Sequence, residues 1–423
     1  MVDAEACGFV CVCNGGRDAY GVPIGLYRQG VLRVFVTDYV YKERGFLHRA
    51  LAPRSLKESR AAEFPDDLAS NTYSSLIAQA LARLAGVDGR IFFAGHDFLL
   101  SLKAGAICRL GENHIFAYAG YLPPDWLISK ERARIVFQYH PHWRYLRQIL
   151  EEDRDRFAGE IRPPSKLLAD NSDNDDWKRA DVVVCASSFT KESLLAQGCE
   201  AEKLRVIPYG ARDHALRTTY ERDGTCRFLF VGQGVRRKGL HVLLLAWRRA
   251  RLRRATLTVV SGNVDAGMRA LADGDIRWLS RQPEDQLFRL YAQADAFVMP
   301  SLVEGFGLVY LEALSSGCHV IGTGNTGLPD LRLSEASCTC VQPGNIGALA
   351  SALEDVEQKY IRAQLDRVEN RAEGLRRPFA RFTDEIGDLA REVVQQKSQH
   401  ARLRPGAGLD ALSGVRPAQR DGT

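Results

Sequence analysis

Glu304 and Glu312 stand on either side of Gly305-Phe306-Gly307-Leu308, in a stretch that reads as strand, loop and helix from Ala294 to Asp330. These residue types suit the capture of a phosphorylated ligand. The first turn of a helix has amide N–H groups without partners inside the helix. Together with the helix dipole, those around Phe306, Gly307 and Leu308 make an anion site. Gly305 and Gly307 let a phosphate come close to the backbone. Glu312 lies roughly 8 Å further along the axis than Gly307, at about 1.5 Å per residue. That reach suits the ribose hydroxyls of a nucleotide whose diphosphate rests on the helix start. Glu304, ahead of the turn, is placed to face a sugar. Taken singly, each glutamate reads equally well as a solvated loop residue or a helix decoration. Their combination on one strand–loop–helix unit is what points to a site.

A second stretch points the same way. The strand Phe228–Val231 runs into Gly232-Gln233-Gly234-Val235-Arg236-Arg237-Lys238-Gly239, followed by a helix with apolar Leu240, Leu243, Leu244 and Trp247. Glycines and three cations at a helix entrance suit a diphosphate leaving group, with Lys238 as a point charge and Arg236 or Arg237 as a bidentate clamp. The plainer reading is a solvated basic turn. It is not a Walker loop, because Lys238 is followed by glycine, and it does not complete the dinucleotide fingerprint. In the N-terminal half, Tyr139-His140-Pro141-His142 ends a strand, which lets His140 reach a cleft. His142 and His96 compete with it, and a lone histidine at a strand end is more often structural. Gly15-Gly16, after the first strand, forms a short glycine turn.

The elements that would position these residues follow a repeating plan. Short apolar runs alternate with longer amphipathic stretches, which is the pattern of parallel α/β sheets. Strands are predicted at Gly8–Cys13, Val31–Thr37, Arg90–Ala94, Ile115–Tyr118, Arg134–Gln138, Asp181–Cys185 and Lys203–Ile207. Helices are predicted at Tyr73–Leu84, Trp143–Phe157 and Thr190–Gln197. From Ala211 to Thr225 the apolar periodicity disappears, and a second series begins. It has strands at Arg227–Val231, Thr256–Val260, Asp295–Met299 and His319–Gly322, and helices at 240–251, 307–316 and 346–369, with another after Pro378. Gly317 suits the end of the 307–316 helix. The expected division is an N-terminal Rossmann-like domain (1–212), a linker (213–226) and a C-terminal Rossmann-like domain (227–377). A helix (378–396) packs back on the N-terminal domain, and a disordered tail (397–423) follows. Two such domains facing each other put a ligand cleft between the C-terminal ends of their strands.

Composition excludes rather than identifies. With 423 residues, 45% hydrophobic and 26% charged, the chain can bury two cores and matches no fibrous or disordered class. A net charge of +5 is small for this length and calls for no nucleic acid partner. No apolar run approaches the roughly 20 residues of a membrane span. Met1–Gly8 has no signal-peptide pattern, which reads as a cytoplasmic protein. The ten cysteines include Cys11-x-Cys13 and Cys338-x-Cys340, either strand-face metal or redox pairs or, more plainly, reduced thiols. Asp173-Asn174-Asp175 formally matches a metal-binding Asp-x-Asp, but no apolar strand enters it, so no metal and no cofactor are expected. The densest basic run, Trp247–Arg254, suits either a solvated helix face or peripheral contact with an anionic membrane at its inner face.

The stretch Val231–Gly239, Glu304–Glu312 and Gly317…Gly327-Leu328-Pro329-Asp330 resembles glycosyltransferase family 4, whose Glu-x7-Glu motif matches Glu304 and Glu312. The likeness extends back through Ala180–Ser188 and Val206–Pro208. It implies the GT-B fold, a nucleotide-diphosphate sugar donor, a saccharide or lipid-linked acceptor and transfer with retention of configuration in surface polysaccharide or glycolipid synthesis. By this resemblance Lys238 stabilises the departing diphosphate, the amides near Gly307 and Leu308 bind phosphate and Glu312 takes the ribose. Glu304 and His140 attend the sugar, and Leu279–Pro283 contacts the base. Three positions depart from the family: Gln233 stands where an arginine is usual, Tyr209 where asparagine is usual, and the N-terminal glycine loop is a bare Gly15-Gly16. Two other readings remain: a nucleotide-sugar epimerase or hydrolase using His140 with Glu304, and a non-catalytic partner subunit of the same fold.

Overall fold

The computed structural model describes residues 7–38, 40, 63–72, 93–157, 159, 175–214, 220–264, 266–274 and 276–403. Two parallel sheets organise them. The first holds β1 (Phe9–Val12), β2 (Leu32–Thr37), β3 (Ala69–Asn71), β4 (His114–Tyr118), β5 (Arg134–Gln138), β6 (Val182–Cys185) and β7 (Leu204–Val206), in the order β3-β2-β1-β4-β5-β6-β7. The second holds β8 (Cys226–Val231), β9 (Ala255–Val260), β10 (Ile276–Leu279), β11 (Ala296–Val298), β12 (His319–Thr323) and β13 (Cys338–Val341), in the order β10-β9-β8-β11-β12-β13. Every neighbouring pair is parallel. The central strands are apolar runs such as Phe-Val-Cys-Val and Val-Val-Val-Cys because helices cover both faces.

The main helices are α1 (Gly21–Arg28), α2 (Phe93–Gly111), α3 (Trp143–Arg156) and α4 (Ser188–Leu195) beside the first sheet. Beside the second are α5 (Leu240–Arg249), α6 (Glu284–Gln293), α7 (Leu308–Ser315), α8 (Ile346–Ile361) and α9 (Arg367–Leu375), followed by α10 (Phe379–Leu403). In each sheet the order reverses beside the first strand of its series, at β1/β4 and at β8/β11. A crevice opens at such a switch point, outside the carboxyl ends of the strands. The loops after β8 and β11 that carry Lys238 and Glu304 leave the second sheet there.

The chain crosses between the sheets twice, side by side. The Ala211 amide donates to the Arg377 carbonyl (2.8 Å) and the Phe379 amide to the Ala211 carbonyl (2.7 Å). Gly210 is required at this crossing, since a Cβ there would stand 2.3 Å from the Pro378 carbonyl oxygen. Helix α10 then returns to the first sheet and packs on α1. Phe382 meets Tyr209 at 4.9 Å between ring centroids, and Gly25 lies against the Thr383 backbone.

Several sequence expectations are corrected. Phe93 and Ala94, read as the end of a strand at 90–94, begin α2, because a short apolar run does not distinguish a strand from a buried helix. The single helix expected over 346–369 is two, broken where Ala363 takes φ +57° and Asp366 caps α9 through the amides of Val368 and Glu369. Helix α10 continues to Leu403, past the expected onset of a disordered tail at 397. The short strands β3, β10 and β13 escaped detection, because their residues are mostly only partly buried and give a weak apolar pattern. The helix expected at 73–84 lies outside the described residues.

Gly25→Ala should destabilise the protein, since its Cβ would sit 2.3 Å from the Thr383 carbonyl oxygen and force α10 off α1. A loss of about 1–3 kcal/mol is expected, read as a lower urea midpoint with an unchanged slope.

Candidate active site

The Pro300–Gly307 loop after β11 is the meeting place of the two halves. Glu304 is 6% exposed. Its amide donates to the Asn325 carbonyl at 2.9 Å, and its carboxylate takes two cations from the turn after β8. Lys238 bonds to its Oε2 directly, and Arg237 approaches the same oxygen at 2.8 Å. Gly239, at φ +69°, lets this turn run against Pro300, where a Cβ would come within 1.9 Å of the carbonyl oxygen. The turn is further tied by the Leu302 amide, which donates to the Arg237 carbonyl at 3.0 Å.

The charges do not balance. Burial would raise the Glu304 carboxyl, but the positive charges of Lys238, Arg237 and His140 hold it down, from an ordinary 4.5 to about 2. A simple ion pair would raise the lysine as it lowers the glutamate. Here burial lowers the Lys238 ammonium as well; Glu304 opposes this and the neighbouring Arg237 reinforces it. One carboxylate is shared by two half-buried or buried cations, so the pocket has an excess of positive charge. An anion placed there would relieve it.

Helix α7 begins at Leu308, with Gly307 in the left-handed region at φ 92° and no side chain capping its start. That conformation requires glycine. The first-turn amides therefore have no side-chain acceptor among the described residues, as an anion site needs. Gly317, at φ 91°, follows the helix, and its amide closes on the Leu314 carbonyl at 2.8 Å. Glu312 is oriented by Tyr291 of α6, whose hydroxyl donates to it at 3.0 Å. Burial raises the Glu312 carboxyl, while the Tyr291 hydrogen bond and the Lys238 charge oppose that rise. Lys238, Arg237, Glu304, Glu312 and the start of α7 thus act on one another in one place.

From the first sheet, the loops after β5, β6 and β7 close over this loop. Gly305 has no room for a side chain, because a Cβ would sit 1.8 Å from the Tyr139 carbonyl oxygen and 3.1 Å from the His140 Cα. Ser187 and Thr190 donate their hydroxyls to the Gly305 carbonyl at 2.5 and 3.1 Å, Ser188 binds Asp330, and Phe306 packs on Tyr209 at 5.3 Å. His140 is exposed beside Glu304 and contributes to its charge environment. The competing histidines lie elsewhere. His142 is buried and caps α3, accepting from the Arg144 amide, and His96 is buried within α2.

Arg236 departs from the expected set. It is 3% exposed and turned to Asp153 of α3 at 3.1 Å, so it does not join Lys238 and Glu304. Gly15 (φ +77°) donates its amide to Asp38 at 3.1 Å, and Gly16 is exposed. Both lie at the end of β1, with no contact to the Lys238 cluster among the described residues. The three residues Asp18, Ala19 and Tyr20 that follow in the same turn have φ of 43°, 53° and 62°. Such non-glycine positions are strained by about 1–2 kcal/mol each. Tyr118, donating to Asp18 at 2.8 Å, and Arg212, donating to the Ala19 carbonyl at 3.1 Å, hold them.

Residues that sequence reasoning did not assign to the site are Tyr291, Asn325, Ser187, Thr190, Asp153 and His241. Among these only Asp153 carried a signal: it falls on the buried stripe Leu146, Leu150, Asp153 of an otherwise charged helix. The cysteines of the two Cys-x-Cys pairs are free thiols, Cys11 and Cys13 buried in the core beside β1. Among the described residues no group of three or more His, Cys, Asp or Glu could hold a metal ion, and no helix is long and apolar enough to cross a membrane. The arginines at 248, 249, 251, 253 and 254 are exposed at the end of α5 remote from Lys238. The amides of Arg251, Arg253 and Arg254 are tied to Glu354 and Glu357 of α8. A cavity of about 630 Å³ lined by Arg227, Thr258, Arg277 and Gln293 opens elsewhere on the second sheet and includes none of the site residues.

Glu304→Gln should cost about 3–5 kcal/mol at pH 7, because it leaves two cations in the pocket without a countercharge. A carboxyl whose pKa falls on folding contributes stability that is complete above its unfolded value and is lost as pH drops through the folded one. The gap between wild type and Glu304→Gln in urea unfolding should therefore be wide at pH 7 and narrower at pH 3.

Comparison with known proteins finds likeness in sequence and in fold. Residues 225–359, less than half of the chain, match the family described as Glycosyl transferases group 1. The amylovoran biosynthesis glycosyltransferase AmsK of Erwinia amylovora is 27% identical over 261 residues, 57% of this chain and 60% of that protein. A D-inositol 3-phosphate glycosyltransferase of Pseudarthrobacter chlorophenolicus is 31% identical over 170 residues, 35% of this chain and 40% of its own. The chain thus spans less than two thirds of the length of these relatives. Among solved structures, a glycosyltransferase from Rickettsia africae superposes with a TM-score of 0.58 at 14% identity, covering 92% of this chain and 99% of that one. The sucrose-phosphate synthase of Thermosynechococcus elongatus gives 0.58 at 16% identity, covering 92% and 100%. Residues 225–359 are a group 1 glycosyl transferase domain, carried in a chain whose two facing parallel-sheet halves have the GT-B fold.

Proposed function

We propose that the chain is a retaining glycosyltransferase of family 4, moving a hexosyl group from a nucleotide-diphosphate sugar to a saccharide or lipid-linked acceptor. One observation carries this reading: two cations share a single buried carboxylate beside an uncapped helix start. A pyrophosphate would fill that place, with its oxygens on the amides of Gly307 and Leu308 and against Lys238 and Arg237. Arg237 is the phosphate arginine in this reading, since Arg236 is engaged by Asp153. When the diphosphate draws the cations to itself, the Glu304 carboxylate is released toward the sugar. Glu312, held by Tyr291, meets the ribose.

In the transfer, the bond from the anomeric carbon to the β-phosphate oxygen breaks and its electron pair goes to that oxygen. An acceptor hydroxyl forms the new bond on the same face, and its proton passes to the departing phosphate. Positive charge at the anomeric carbon is met by Glu304, and negative charge on the leaving group by Lys238 and Arg237. This is electrostatic stabilisation without a covalent nucleophile. The two cations do what a divalent metal does in metal-dependent transferases. The relative named for amylovoran biosynthesis, and an Escherichia coli relative named O-antigen chain mannosyltransferase B that is 46% identical over 63 residues, support an acceptor in polysaccharide synthesis. Peripheral contact with an anionic membrane rests on the five exposed arginines at 248–254.

The nearness of His140 to Glu304 also suits an epimerase or hydrolase, which would consume donor without acceptor. The first test is a thermal-shift series with UDP-, GDP-, dTDP- and ADP-sugars. A donor at 100 times its Kd adds about 2.7 kcal/mol to the folded state, and Lys238→Met should abolish the shift. Product from the stabilising donor and an acceptor should keep the donor's anomeric configuration by NMR. Inverted product, or donor turnover independent of acceptor, would reject the retaining transferase.

A further inference from the structure

A second charged cluster is buried between the halves, separate from the Lys238–Glu304 contact. Helix α3 carries a buried stripe of Leu146, Leu150 and Asp153, continued by Phe157 just past its end, at the spacing of one helix face. Only Asp153 in that stripe is charged, and its side chain is 5% exposed. Its carboxylate receives Arg236 Nη1 at 3.1 Å and His241 Nε2 at 3.1 Å, both from the opposite half. The Arg236 side chain is 3% exposed, and that of His241 is fully buried under the edge of Phe157 at 5.1 Å. Arg236 Nε and Nη2 and His241 Nδ1 are buried without a hydrogen-bond partner among the described residues. Among the described residues this carboxylate is the one side-chain anchor of the buried guanidinium, so losing it would leave the charge uncompensated.

Arg236, Arg237 and Lys238 form a single 3-10 turn. The Lys238 amide donates to the Val235 carbonyl at 3.0 Å and the Gly239 amide to the Arg236 carbonyl at 2.8 Å, so the three side chains share one small rigid frame. Arg237 and Lys238 reach Glu304, whereas Arg236 reaches across to α3. His241 lies in the first turn of α5, the helix that continues from this turn.

We infer that Asp153 is a positioning residue: by gripping Arg236 and His241 from the N-terminal half, it fixes the turn that aims Lys238 and Arg237, so that the diphosphate site is formed only while the two halves are docked. The inference rests on the transferase reading for its catalytic consequence, not for the grip itself. It also gives Arg236 a role outside phosphate contact.

The test uses full-length protein as wild type, Asp153→Asn, Asp153→Glu and the double variant Asp153→Asn/Arg236→Gln. Hydrogen exchange read by mass spectrometry should rise at least tenfold over residues 232–241 in Asp153→Asn, while strands β1 and β4 keep their protection. Turnover of the sugar donor identified by thermal shift should show kcat down at least tenfold and the donor KM changed less than threefold. The loss arises as charge develops on the leaving phosphate. Asp153→Glu should restore part of kcat. The double variant, which removes the Arg236 charge together with the carboxylate that held it, should fold and still show the loss, which removes instability as its cause. Unchanged exchange over 232–241 would overturn the grip. Raised exchange with unchanged kcat, or a double variant as active as wild type, would overturn the positioning role. If wild type neither binds UDP or GDP nor turns over any donor, the transferase reading and the aiming of a diphosphate site fail, while exchange in Asp153→Asn still decides the grip.

Discussion

A single buried carboxylate between two cations governs the site. Glu304 makes it possible for Lys238 and Arg237 to sit inside the inter-sheet cleft, yet it neutralises only one of them. The remainder of the countercharge comes weakly from Glu312, whose carboxyl burial pushes toward its neutral form. The pocket thus stays positive beside the bare amides of α7. In water such an excess would be screened; away from water it becomes an attraction for a doubly charged group such as a pyrophosphate.

That excess can persist only because the backbone of both halves is in close contact around it. Gly305 fits under the Tyr139 carbonyl of the other half, Gly239 under Pro300 of its own half and Gly210 beside Pro378 at the crossing, and in each place a Cβ would overlap a carbonyl oxygen. Ser187 and Thr190 satisfy the Gly305 carbonyl from across the cleft, so the approach leaves that buried acceptor paired. The three cations of one turn divide their work between the halves, two inward to Glu304 and one across to Asp153. Docking of the halves and the geometry of the site are therefore one problem.

Strands β1, β8 and β12 were legible because continuous apolar runs between glycine turns have few other uses in a parallel sheet, and β5 because its apolar run ends at a proline turn. The start of α7 was legible too, since glycine at 305 and 307 and glutamate at 304 and 312 suit few other purposes in combination. Three of the four edge strands were not: β3, β10 and β13 are short and partly exposed, so their patterns are weak, whereas edge strand β7 was read from Lys203–Ile207. The start of α2 concealed itself because the apolar pair Phe93-Ala94 fits a strand as well as a helical turn. The bare Gly15-Gly16 gave no hint of the left-handed run at Asp18–Tyr20, which Tyr118 and Arg212 impose from distant parts of the chain.

The sequence by itself determined the two α/β series, the glycine-led start of α7 and the residue types at 238, 304 and 312 that gather beside it, because those depend on residue type and local spacing. Tertiary structure alone decided which arginine faces the site. Arg236 and Arg237 are adjacent and chemically identical, and nothing local separates them. What separates them is the position of Asp153, more than eighty residues earlier, on a helix that packs across the cleft and holds Arg236 in an ion pair at 3.1 Å. A charge removed from water goes to whichever opposite charge the packing provides, and packing is a property of the folded chain rather than of any segment within it.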